Sequence, residues 1–106
     1  MKQTILALAV VILAACISPE ESGVKVIVGA KLGNLEYSVV VIADGKFRAV
    51  GPQSSTPVPK GAEITRGLGM TIEPLPGGTP IEAGQPADLV LKGTGERIMR
   101  GGEWIK

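Results

Sequence analysis

Cys16 is the only cysteine in this 106-residue chain, and there is no histidine. Those two facts narrow the possible chemistry more than any motif does. A serine or cysteine nucleophile works through an adjacent base, most often histidine, and that base is missing. A zinc site would have to be built from carboxylates alone, an unusual donor set for that ion. No run of acids has the spacing of an EF-hand loop. Glu20 and Glu21 are adjacent, but they lie in a polar stretch with no burial to tune their proton affinity. Glu73, Glu82 and Asp88 fall near predicted strand ends, where acids are ordinarily solvated. Asp88 is better placed to bond nearby backbone before the apolar run at 89–91. Gly67-Leu68-Gly69 and Gly93-Thr94-Gly95 do not continue into a helix, so neither is a phosphate loop. Trp104 reads as a core plug on a last strand, with an interface anchor as the alternative. The expectation is a chain with no catalytic residue, no metal ligand and no cofactor, and so not an enzyme by itself.

Cys16 has another use. It follows Leu13-Ala14-Ala15, which close a short apolar run behind Lys2. A basic start, an apolar stretch and small residues before a cut are the parts of an export signal. With a cysteine next in line, residues 13–16 resemble the lipobox of bacterial lipoproteins. The resemblance implies cleavage before Cys16 and acylation of its thiol, palmitate being one such chain. A membrane-spanning anchor needs about 20 apolar residues; this run is shorter, and Pro19, Glu20 and Glu21 follow at once. Two or three acyl chains hold firmly at about 0.8 kcal/mol per buried methylene. The expected organisation is a signal helix over 1–15, a tether over 16–23 and one domain over 24–106. The expected location is the bacterial cell envelope. Ile17 in place of an aspartate resembles sorting to the periplasmic side of the outer membrane where two membranes exist.

Eleven Lys plus Arg face ten Asp plus Glu, with three aromatics in all. That neutral surface gives no electrostatic reason to bind nucleic acid. No disulfide can form within one chain, so a domain of this size relies on its core alone.

The segments that must carry these residues are β-type. Residues 24–28 are β-branched, and 37–43 (YSVVVIA) are a continuous apolar run, the pattern of a strand covered on both faces. Asp44-Gly45 then forms the strongest short hairpin signal, followed by alternation over 46–50 with one face to water. Residues 51–61 read as a proline-rich loop with no packing pattern. Shorter strands are expected at 63–66, 70–73 and 88–92, and Gly101-Gly102 sits between 96–99 and 103–105 as a second hairpin turn. No segment after the signal shows helical periodicity. The predicted fold class is all-β, a small β-sandwich of six to eight short strands.

Taken in order, these segments resemble the β-sandwich domain of the metal-dependent amidohydrolases. In that superfamily a β/α barrel performs the chemistry, and the sandwich is assembled from chain before and after it. Residues 26–32, 39–51, 58–64 and 69–75 are similar to the leading segment. Residues 81–91 and 97–105 are similar to the trailing one. The family's Asp-x-His-x-His metal motif would follow residues 70–75, but here Pro76-Gly77-Gly78-Thr79 follows instead. The barrel's histidines, bridging lysine and catalytic aspartate have no counterpart. The resemblance implies a non-catalytic binding or structural module, its barrel-facing flank covered by a second copy or a separate protein. It also implies an alternative: an accessory part of a hydrolase of non-peptide carbon–nitrogen bonds, with the barrel supplied by another chain. A deletion remnant without a role is the third reading.

Overall fold

A computed structural model describes residues 23–106 of the chain. The signal segment, Cys16, Glu20 and Glu21 lie outside the described residues, so the expectations placed on them rest on sequence alone.

Eight strands alternate with turns, and no helix occurs among the described residues. They are β1 (Lys25–Val28), β2 (Ser38–Ala43), β3 (Lys46–Pro52), β4 (Glu63–Arg66), β5 (Thr71–Glu73), β6 (Leu89–Lys92), β7 (Glu96–Arg100) and β8 (Glu103–Trp104). They form two four-stranded sheets ordered β3-β2-β1-β4 and β5-β6-β7-β8. The all-β class is therefore as expected, and the first half of the chain builds one sheet while the second half completes the other.

Turn chemistry sets the hairpins. Asp44 and Gly45 have φ of 55° and 77°, and Gly101 and Gly102 have 57° and 85°. Two consecutive positive φ values define the type I′ turn, whose twist matches that of the flanking strands. The tips of these hairpins meet. A Cβ on Gly102 would stand 3.0 Å from the Gly45 Cα, so glycine is required there by both space and φ. Ala87 joins the two tips, donating its N–H to the Gly45 carbonyl at 2.9 Å and accepting from Gly102 N–H at 3.0 Å.

Alternation sorts the side chains. Ile27, Val40, Ile42 and Phe47 of the first sheet meet Ile72, Leu89, Leu91 and Met99 of the second in a shared buried core. Each such side chain contributes about 1.5–3 kcal/mol by leaving water. The opposite face of the first sheet is also apolar: Val26, Val39 and Val41 are buried with Val24 and Ala43. This is why the 37–43 run is unbroken, although Tyr37 itself is exposed and precedes the strand.

Residues 53–62 correct the reading of 51–61 as a loop without packing. β3 and β4 lie on opposite edges, and β4 runs parallel to β1 while β2 runs antiparallel to it. The connection must therefore cross the sheet, and the inner face is occupied by the core. Thr56 Oγ1 lies 2.5 Å from where a Gly51 Cβ would be, on the face Gly51 shares with its partner Val39, and Ala62 packs into the outer cluster. Pro52 and Gly51 belong to β3 and not to the loop.

One backbone path links the sheets. Past β1, Gly29 (φ 91°) turns the chain, and Lys31 then pairs with β5, its N–H donating to Met70 O and its carbonyl accepting from Ile72 N–H, both at 2.8 Å. A strand that bends from one layer into the next makes a sandwich corner. Ser38, the buried polar residue here, donates its Oγ–H to Ala30 O at 2.8 Å.

Candidate functional site

The acids considered above do not converge. Glu73 Oε1 lies 3.0 Å from Lys92 Nζ on the outer face of the second sheet. Hydrogen bonding to Glu73, then its charge, raises Lys92 above its ordinary 10.5. Asp88 Oδ1 accepts the Gly101 N–H at 2.7 Å. Its partner is thus backbone, as expected, but 13 residues away in the chain and not local. Among the described residues no three of His, Cys, Asp and Glu stand where they could share a metal ion. One glycine of each pair is packed: a Cβ on Gly67 would meet Ala30 Cβ at 2.8 Å, and one on Gly93 would meet Met70 at 2.7 Å, whereas Gly69 and Gly95 face open space.

Trp104 sits on the core-facing side of β8, partly buried against the core. The Arg97 guanidinium lies 4.0 Å from its ring centroid. Its Nε1–H is buried without a partner among the described residues. That makes it chiefly a plug whose outer side carries a cation.

The concave surface lies elsewhere, where the chain passes from its leading to its trailing segment. Gly78 N–H donates to Leu75 O at 2.8 Å, with Pro76 and Gly77 (φ 72°) between them, a type II turn. Beside it opens a cleft of about 530 Å³, floored by Leu32, Ile72, Pro74, Pro80 and Ile81, with Lys31 and Glu73 at its border. That volume falls within the range of small-molecule and side-chain pockets, about 300–1,000 Å³. A second cleft of about 350 Å³ shares Lys31 and Thr71 with it and runs on to Tyr37 and Leu68. Tyr37 is 55% and Leu68 73% exposed, so the belt ends in bare apolar side chains.

The arrangement can seat an apolar group beside Lys31 and the Glu73–Lys92 pair. It offers no nucleophile next to a base. Sequence reasoning placed the Leu75-to-Ile81 junction but missed Leu68 and Tyr37 as surface. The signal was available for Leu68, a large apolar residue held between Gly67 and Gly69 in a loop. No protein-family model, curated protein or solved structure matches this chain.

Proposed function

We propose that this chain is a lipid-anchored, non-catalytic module of the bacterial cell envelope. Its sandwich is that of an amidohydrolase accessory domain without the barrel, and it binds a partner protein along the belt from Ile81 to Leu68. The observation that carries the reading is the apolar cleft beside the Leu75–Gly78 turn. It lies where the resemblance puts the exit and return of a barrel, and Leu32, Pro74, Pro80 and Ile81 give it an apolar lining. The Leu13-Ala14-Ala15-Cys16 run supports the anchor.

Feeding cells a tagged palmitate while they express the full chain tests the anchor. Label and membrane association are expected in the parent and lost in Cys16→Ser; equal labelling of both overturns lipidation. Metal analysis of the purified chain tests the second half. Stoichiometric zinc, or amide hydrolysis that appears only when the chain is combined with a separately encoded barrel, overturns the non-catalytic reading.

A further inference from the structure

Each sheet has two edges, and the molecule treats the four unequally. Residues 84–87 cover the start of β3, where Phe47 N–H donates to Gln85 O at 2.9 Å and Gly84 N–H to Phe47 O at 2.8 Å, and the rest of that strand carries a bulge at Arg48 and ends in Pro52. Lys31 covers β5. β8 is only two residues long. That leaves β4, a four-residue edge with neither proline nor bulge, whose charges, Glu63 and Arg66, stand at its two ends.

The open groups on β4 can be counted. Glu63 N–H donates to Val24 O and Gly67 N–H to Val28 O. In a parallel ladder, inward-facing residues alternate with outward-facing ones. Thr65 therefore also faces β1, while Ile64 and Arg66 turn their N–H and C=O groups outward. Among the described residues no strand pairs there. The Ile64 side chain is 45% exposed beside Leu68.

We propose that β4 is a homodimerisation edge, joining a second copy antiparallel with Thr65 against Thr65 on the two-fold axis. Symmetry and bonding select this register. A two-fold axis perpendicular to the sheet keeps each face on its own side, so opposed residues must share a face. Pairing Ile64 with the other copy's Arg66 makes four hydrogen bonds and uses every outward group on both strands. The same axis reverses the strand, so the pairing is antiparallel, and it sets Ile64 of each copy directly against Arg66 of the other on one face. Ile64 is then covered by the Arg66 stem. The pairing is independent of lipidation at Cys16.

The test uses the full chain carrying Cys16→Ser, so that an introduced thiol stands alone. In the antiparallel register the Thr65 Cα atoms lie about 4.5 Å apart, within reach of a disulfide. Mild oxidation of Thr65→Cys is expected to give a covalent species at twice the 10.9 kDa chain mass, at least tenfold above Val58→Cys. Adding Arg66→Pro removes an outward N–H and no bond to β1, and is expected to abolish that species. Ile64→Lys, which sets a cation against Arg66 of the other copy, should do the same and stands in if Arg66→Pro loses its β circular-dichroism spectrum. Cross-linking of Thr65→Cys no greater than Val58→Cys, or undiminished by the folded blocking variant, overturns the proposal. Either result leaves the palmitate experiment unaffected.

Discussion

The outer faces of the two sheets obey the same alternation and end differently. On the first, Val26, Val39 and Val41 are no more than 1% exposed. On the second, Glu73 pairs with Lys92 at 3.0 Å and Glu96 with Lys106 at 3.7 Å, in open solvent. Strand order explains the contrast. β5 to β8 form a meander in which each strand lies beside the next, so among the described residues no connection between strands has to cross that face, although Val90 is buried on it. β3 and β4 occupy opposite edges, and residues 53–62 must travel across the first sheet. A face that chain must cross needs apolar residues to bind it; a face left to water can carry charge. Topology, then, and not overall composition, decides where the valines go.

The largest way to break this contrast is Val41→Asp. A carboxylate buried on the crossed face without a partner should cost more than about 4 kcal/mol and leave the chain unfolded by circular dichroism. Thr71→Asp on the open face should stay within about 0.5 kcal/mol of the parent in chemical denaturation. Equal losses would mean that the faces do not differ as described. The turn tips come next. Gly102→Ala, with φ 85° and a backbone atom at 3.0 Å, should cost about 2–3 kcal/mol in the same measurement. Gly101→Ala, with φ 57° and open space, should cost about 1 kcal/mol. Asp88→Ala, which frees the Gly101 N–H, should also cost about 1 kcal/mol. The smallest effect is the solvent-exposed ion pair. Lys92 is raised when folded, so its contribution is complete below 10.5 and fades as pH rises through the higher folded value. Any thermal-midpoint difference between the parent and Glu73→Gln should therefore be flat near neutrality and shrink in strong alkali.

Much of this fold was legible because its signals are local. Asp44-Gly45 and Gly101-Gly102 specify their turns through positive φ, and the unbroken 37–43 run announced a strand covered twice. What escaped was non-local. Nothing within Glu63–Arg66 says that it pairs in parallel with β1, since that ladder joins residues 38 positions apart. The path of residues 53–62 follows from that pairing, so it was equally hidden. Asp88 was read as bonding local backbone, but its partner, Gly101, is brought close only by the β6–β7–β8 ladder. The candidate cleft was half legible. The Leu75-to-Ile81 junction shows in the prolines and glycines, whereas the apolar floor beneath it needs Leu32 and Ile72 brought together by the corner at Gly29.

That corner also bears on how the protein answers a pull. Chain entering at Gly23 runs directly into β1, held by β2 on one side and β4 on the other. Tension along this strand strains both ladders lengthwise and together, not one bond after another like a zipper. Beyond Gly29 the same backbone is fastened to β5, so a load applied at the leading end is shared by both layers before any core side chain is uncovered.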